Sequence, residues 1–224
     1  MKNKTLLMAV AALTLVALIG SAVFFMSGGE NASDDGAVWE NVPEELFGIL
    51  LPGPKPLKPF ALKDADGRLF DRDRMRGKWS LIFFGYTHCP DVCPVSMGVL
   101  TEVYDILQTD TLIGRELQVI FVSVDPQRDT NPILKEYVSY FNPGFVGVSG
   151  SKPQIDILAK QVGAGYFIDP PKEGEEGYTV SHSSGIFMVD PRARLVALFQ
   201  GEQYPRKIAF EITKIRELIA GEES

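Results

Sequence analysis

Apolar positions along the chain form short continuous runs that are separated by stripes with helical spacing. The runs from Trp79 to Phe84 and from Leu117 to Val124 are predominantly apolar, which is typical of strands buried on both faces of a sheet. After the first run, the spacing predicts a helix face formed by Leu100, Val103, Tyr104 and Leu107. After the second run, a similar stripe predicts a helix face formed by Ile133, Leu134, Tyr137, Val138 and Phe141. This order predicts parallel strands that are joined by crossover helices.

The C-terminal part of the chain predicts further strands and a final helix. A strand from Phe145 to Val148 and a helix from Pro153 to Val162 come first, and two strands, Gly185 to Val189 and Leu195 to Phe199, follow. The last helix has one apolar face, formed by Ile208, Ile212, Ile215 and Ile219. A parallel pair closed by an antiparallel hairpin is a mixed sheet. The sequence therefore predicts an α/β domain over residues 58–224, with a thioredoxin-like mixed sheet flanked by helices.

Two polar segments interrupt this pattern. Residues Asp64 to Gly67 separate two short apolar segments near the start of the domain and predict a hairpin turn. Residues Gly163 to Gly177 are rich in glycine, proline and charge. We expect them to form an exposed excursion, as a hairpin bounded by Tyr166 to Ile168 and by Tyr178 to Val180. The sequence leaves open whether this excursion binds a client protein or is only an insertion.

The first 28 residues differ in character from the rest of the chain. Leu6 to Met26 is a run of 21 residues without charge, long enough to cross about 30 Å of hydrocarbon as a helix. Because Lys2 and Lys4 precede it, the sequence predicts a single-pass helix in the inner (cytoplasmic) membrane, with the domain on the periplasmic or other extracytoplasmic side. A signal peptide cleaved near Ala22 is the alternative. Residues 29–57 are polar and proline-containing and predict a linker.

Composition narrows the class of partner. The formal net charge is −7 and the isoelectric point is about 5.0. This acidic balance argues against nucleic acid as a partner, because phosphate binding needs clustered lysine and arginine. The surplus of acidic residues is explained either by a solvated surface or by a surface that attracts a basic partner.

Both cysteines of the protein lie in one loop between the first long strand and the helix that follows. Cys89 and Cys93 are separated by three residues, and Pro94 is expected at the first position of the helix. Amide groups at the start of a helix favour thiolate over thiol, and thiolates are the nucleophiles of disulfide exchange and ligands of soft metals. The spacing allows a stabilising disulfide, which would close only a small loop, or a metal site.

His182 is the candidate third metal ligand. It follows a predicted strand, in a short polar loop that the thioredoxin-like topology places opposite the two cysteines. Two thiolates and one imidazole form a soft, low-coordinate ligand set that suits copper, with zinc as the competitor. A structural zinc site would need a fourth ligand, which His88, the only other histidine, would supply.

Three blocks of the sequence resemble the Sco/SenC family of copper-binding, thioredoxin-like proteins. The first block, from Tyr86 to Pro94, reads YTHCPDVCP, the second, from Ser123 to Thr130, reads SVDPQRDT, and the third, from Tyr178 to Ser183, reads YTVSHS. The third block departs from the family pattern, because Ser181 stands where an aspartate usually precedes the histidine. This departure concerns copper affinity and exchange rate rather than the ligand set.

The resemblance implies a membrane-tethered copper chaperone that binds Cu(I) or Cu(II) through Cys89, Cys93 and His182. Its expected client is the copper-binding subunit of cytochrome c oxidase, whose dinuclear copper site it would help to assemble. The alternative is a thiol–disulfide reductase that acts on the cysteines of that copper site through the same two thiols. A thiol peroxidase would need a threonine and an arginine around one cysteine, and the local sequence does not indicate them.

Asp125, Arg128 and Asp129 follow the second long strand, at the same end of the sheet as the thiols. They are explained either as turn residues with a surface ion pair or as residues that support the metal site or dock a partner. The sequence does not decide between these roles.

Overall fold

The computed structural model describes Trp39 and residues 42–109, 113–170 and 178–220. The predicted transmembrane helix, Leu6 to Met26, lies outside these ranges, as does the tip of the excursion at residues 171–177. Within the described ranges, no helix has the length and apolar character needed to cross a membrane.

The described part of the chain folds into strands and helices that match the hydrophobic pattern to within a few residues. The strands are β1 (Leu50–Pro56), β2 (Leu62–Asp64), β3 (Leu69–Phe70), β4 (Trp79–Gly85), β5 (Leu117–Ser123), β6 (Val146–Ser149), β7 (Tyr166–Asp169), β8 (Thr179–His182), β9 (Ile186–Val189) and β10 (Arg194–Phe199). The α-helices are α1 (Val92–Gln108), α2 (Asn131–Phe141), α3 (Lys152–Val162) and α4 (Pro205–Ala220).

Eight of these strands form one mixed sheet in the order β1-β10-β9-β4-β5-β6-β2-β3. Strands β4, β5 and β6 are parallel neighbours, and α1 and α2 are their crossover connections. Strand β9 pairs antiparallel with β4 on the other side, and β10 pairs with β9. Both β4 and β5 are buried along their whole length, as expected for central strands. The predicted mixed sheet with an antiparallel hairpin is therefore confirmed.

The helices cover the sheet with the apolar faces that the sequence predicts, with one exception. The four isoleucines of α4 are all buried: Ile208, Ile212, Ile215 and Ile219. In α2, Leu134 and Val138 are buried, but Ile133 is 40% exposed. Helix α2 packs mainly on β6 and α1, and these contacts cover a narrower face than the apolar stripe.

The folded domain begins earlier in the chain than the sequence predicts. Strand β1 lies within the predicted linker, residues 29–57, and pairs antiparallel with β10 at the edge of the sheet. Its three prolines lack N–H groups and are tolerated at an edge, where one side of the strand has no partner: Pro52, Pro54 and Pro56. The prolines correctly indicated that this segment is not a helix. They also made it resemble a linker, so the edge strand was not predicted.

A small second sheet is formed by β7 and β8. The two strands are antiparallel, with Tyr166 opposite His182 and Asp169 opposite Thr179. The hairpin predicted for the excursion is therefore confirmed in the strands that bound it. Strand β8 continues two residues beyond Val180, so that His182 ends a strand rather than lying in a loop.

Candidate metal centre

Cys89 and Cys93 lie where β4 ends and α1 begins. The carboxyl end of a central strand is where open α/β sheets place their sites. Helix α1 begins at Val92, two residues before Pro94, so Cys93 lies in the first helical turn. The side chain of Asp91 makes no capping hydrogen bond, and the sulfur of Cys89 instead accepts one from the backbone N–H of Cys93, at 3.4 Å. The start of the helix thus holds the two cysteines next to each other.

His182 reaches the cysteine loop from the end of β8. Its Nε2 atom lies 3.1 Å from the sulfur of Cys93, and its Nδ1 atom lies 3.1 Å from the backbone oxygen of Ser183. Because a carbonyl oxygen only accepts hydrogen bonds, Nδ1 carries the ring proton and Nε2 presents its lone pair to the sulfur. A backbone carbonyl commonly orients a metal-ligating histidine in this way.

The three predicted ligands meet at one point. The ligand atoms of Cys89, Cys93 and His182 all lie within 4.8 Å of one another, and both thiols are free. In the described ranges, no other group of at least three His, Cys, Asp or Glu side chains is arranged to hold a metal ion. Two sulfurs and one imidazole nitrogen form a donor set that fits copper or zinc.

Burial favours the uncharged forms of Cys93 and His182. Cys93 is fully buried, and desolvation raises the pKa of its thiol far above the usual range. Desolvation also lowers the pKa of the His182 imidazole. The expectation that the start of the helix favours a thiolate is therefore wrong for Cys93, because the cost of burying the charge outweighs the backbone hydrogen bond with Tyr86, which alone lowers the pKa. A metal ion that binds here displaces the thiol proton.

His88 does not join the ligand group. Its Nδ1 atom lies 3.0 Å from the hydroxyl of Thr87 and 3.5 Å from a carboxylate oxygen of Asp129. About half of its side chain is exposed to solvent. The structure therefore gives no support to His88 as the fourth ligand of a zinc site.

Gly85 leaves the space that the Cys93 sulfur occupies. A Cβ atom at residue 85 would lie 2.7 Å from this sulfur and 3.0 Å from the ring of Phe121. Gly85 is not among the residues with positive φ, so the position requires the absence of a side chain rather than an unusual backbone conformation. Gly85 was not predicted as a site residue, although its place between the apolar run that ends at Phe84 and the cysteine loop is a usable signal.

Two aromatic rings flank the imidazole. The rings of Phe83 and Tyr86 lie edge-to-face with His182, with centroid distances of 5.8 and 6.0 Å. Both residues are buried, and this packing limits rotation of the imidazole. The sequence analysis did not assign them a role, because it could not show that β8 returns to this end of β4.

Ser181, at the position where the sequence departs from the family pattern, binds a carboxylate. Its hydroxyl donates a hydrogen bond to Asp169 on the opposite strand, at 2.6 Å. Successive residues of a strand point to opposite faces, so this pair and the imidazole of His182 project from different faces of the hairpin.

The family model described as SCO1/SenC matches residues 52–217. The chain is 33% identical over 149 residues to the SCO2-like protein of Rickettsia felis, and the match covers 66% of this chain and 71% of that protein.

Two solved structures with copper bound are similar to this chain. ScoI of Bradyrhizobium japonicum superposes with a TM-score of 0.62 at 34% identity, covering 71% of this chain and 98% of that one. Yeast Sco1 superposes with a TM-score of 0.64 at 32% identity, covering 72% of this chain and 88% of that one. The region that the family model matches contains all three candidate ligands and the mixed sheet except for the first two residues of β1, and the chain belongs to the SCO1/SenC family.

Proposed function

We propose that this chain is a copper chaperone that holds one copper ion through Cys89, Cys93 and His182. The observation that carries the proposal is the convergence of two free thiols and one imidazole, with all ligand atoms within 4.8 Å of one another. Membership in a family whose solved members include proteins with copper bound supports the choice of metal.

The ligand set favours copper over zinc. Structural zinc sites normally have four protein ligands, and only three side chains of the described residues meet here. Two sulfurs with one nitrogen form a soft, three-coordinate set, which suits copper. The lowered pKa of His182 also favours binding, because only the neutral imidazole offers a lone pair to a metal.

We propose the copper-binding subunit of cytochrome c oxidase as the client, as membership in this family implies. The geometry supports transfer at the surface, since Cys89 is partly exposed whereas Cys93 is fully buried. A client ligand that approaches from solvent would reach the copper at the Cys89 side first. Cys93 and His182 would hold the ion until the exchange is complete.

A thiol–disulfide reductase acting on the cysteines of the oxidase copper site is the second candidate. Both thiols are free, and Cys89 accepts a hydrogen bond from the backbone of Cys93, so the two side chains are adjacent. Disulfide exchange needs one accessible sulfur and a neighbour that resolves the mixed disulfide. His182 distinguishes the candidates, because copper binding uses its lone pair and disulfide exchange does not require it.

Metal analysis of the full-length chain tests the chaperone proposal. The protein is purified reduced, offered copper and zinc together, and freed of loosely bound metal. We expect one copper per chain and a Cu(II)–thiolate absorption band when the metal is supplied as Cu(II). Retention of zinc in preference to copper, or of neither metal, would contradict the proposal.

We propose that Leu6 to Met26 anchors the chain in the inner membrane, with the domain on the extracytoplasmic side. The uncharged run of 21 residues and the preceding Lys2 and Lys4 support this topology. Protease added to spheroplasts is expected to digest the domain, and a high-salt wash is expected to leave the chain in the membrane. A mature N-terminus near Ala22 would show a cleaved signal peptide instead.

A further inference from the structure

The turn that follows β5 contacts both of the segments that carry the candidate ligands. Asp125, Arg128 and Asp129 lie in this turn, between the end of β5 and the start of α2. Asp125 is 1% exposed and Asp129 is 3% exposed, so neither carboxylate is a surface group. Buried carboxylates are retained only where they are paired or hydrogen-bonded. Their partners therefore show what the turn holds in place.

Asp129 holds the cysteine loop. Its carboxylate accepts hydrogen bonds from the backbone N–H of Thr87 at 2.9 Å and from the hydroxyl of Thr87 at 2.6 Å. It also accepts one from the hydroxyl of Ser123 at the end of β5, at 2.6 Å. Thr87 is two residues before Cys89, so these bonds tie the start of the cysteine loop to the central sheet.

Arg128 holds the histidine strand. Its Nη1 atom donates a hydrogen bond to the backbone oxygen of Tyr178 at 2.9 Å, and its guanidinium carbon lies 3.8 Å from the centroid of the Tyr178 ring. Its Nε atom donates to Asp125, which also accepts a hydrogen bond from the hydroxyl of Tyr178, at 2.6 Å. Tyr178 directly precedes β8, the strand that ends in His182.

The same guanidinium also contacts the cysteine loop. It lies 5.4 Å from the ring centroid of Tyr86, the first residue after β4, and therefore contacts both tyrosine rings. Tyr86 in turn packs edge-to-face against His182. One planar cation thus links Tyr178, which leads into the histidine strand, to Tyr86, which leads into the cysteine loop.

We propose that Arg128 is a positioning residue of the metal centre, which keeps His182 beside the two thiols before any metal binds. Strand β8 belongs to a two-stranded sheet that does not pair with the main sheet, and only its His182 end is restrained by backbone pairing, through Ile186, which pairs with Phe83. The contacts of Arg128 with Tyr178 restrain the other end of β8, where the strand begins. The role of Arg128 in copper binding rests on the proposed function, whereas its role in placing His182 does not.

The chain offers a matched control for Arg128. Arg194 and Asp190 form another buried ion pair, with 2.6 Å between Nε and a carboxylate oxygen. Asp190 directly follows β9 and Arg194 begins β10, and Val189 at the end of β9 pairs with Ser80 near the start of β4. Arg194 is therefore at the opposite end of the sheet from the cysteines. A change there reports the general effect of losing a buried ion pair.

The test compares Arg128→Met, Arg128→Lys and Arg194→Met in the full-length chain. Without metal, we expect the nuclear Overhauser effects between the Tyr86 and His182 rings to be lost in Arg128→Met and kept in Arg194→Met. With copper, we expect about 10–100-fold weaker binding and an altered Cu(II)–thiolate spectrum in Arg128→Met only, as is typical when a group that orients a ligand is removed. Arg128→Lys keeps the charge but not the planar fork, and we expect partial recovery of both signals.

Thermal unfolding of each variant shows whether it is folded. If Arg128→Met is folded and keeps both the ring contacts and the copper affinity of the parent, the inference is overturned. Equal losses of the ring contacts in Arg128→Met and Arg194→Met would also overturn it, because the effect would then be one of stability alone. If the parent binds no copper, the proposed function fails, and the metal-free ring contacts still decide whether Arg128 positions His182.

Discussion

Replacement of His182 by alanine is expected to abolish tight copper binding while leaving the disulfide chemistry of Cys89 and Cys93 intact. The imidazole nitrogen lies 3.1 Å from the Cys93 sulfur, and the described residues offer no other histidine to the site. Loss of a residue that only orients a ligand lowers metal affinity by about 10–100-fold, so loss of the ligand itself is expected to cost more than about 100-fold. Competition with a copper chelator measures this change.

His88→Ala is the control for this substitution, because it removes the only other histidine, which contacts Thr87 and Asp129 instead of the thiols. It is expected to leave copper stoichiometry and absorption unchanged. In cells that lack the native protein, His182→Ala is expected to give little oxidase activity, with improvement when copper is added. Full activity without added copper would reject the chaperone and leave the reductase in its place.

Replacement of Cys93 by serine is expected to remove both copper binding and client-disulfide reduction. The Cys93 sulfur is fully buried and lies beside both other ligands, and a serine hydroxyl is neither a soft ligand nor a partner for disulfide exchange. Copper retained after removal of loose metal is expected to fall from one ion per chain to none. Reduction of a model disulfide is expected to stop at the mixed disulfide with Cys89.

Reversible oxidation of the parent chain provides the control for Cys93→Ser. A disulfide between Cys89 and Cys93 leaves no thiolate for the metal, so the oxidised protein is expected to lose copper binding and to regain it on reduction. This comparison separates the loss of the sulfur from damage to the fold. If the oxidised chain or the serine variant binds copper as tightly as the reduced parent, the two-thiol site is refuted.

Periodicity predicted most of the fold because the central elements have regular burial. Strands β4 and β5 are buried on both faces, and their continuous apolar runs indicate this burial. The spacing of the isoleucines in α4 likewise identifies the buried face of that helix. Strand β1 could not be recognised in the same way. Its three prolines and one glycine resemble a linker, and its place in the sheet depends on pairing with β10, more than a hundred residues away in sequence.

The candidate ligands could be predicted because the chain contains only two cysteines and two histidines, so few residues can bind a soft metal. Their surroundings were not predictable, because they depend on long-range contacts. The pKa of Cys93 is raised by burial in the folded core, whereas its place at the start of a helix had suggested a lowered pKa. Similarly, Arg128 contacts Tyr178 fifty residues later in the chain, which no local pattern indicates.

Because residues 85 and 93 share one space in the core, the residue at either position limits which residue fits at the other. A methyl group at residue 85 and a sulfur at residue 93 compete for the same volume, since a Cβ atom would lie 2.7 Å from that sulfur. The sulfur is the closest neighbour of this Cβ atom, and the ring of Phe121 at 3.0 Å adds a second constraint on residue 85. Among related chains, we expect alanine or serine at the position of Gly85 to occur together with loss of the cysteine at the position of Cys93. The residues at these two positions would then identify the relatives that no longer bind a metal.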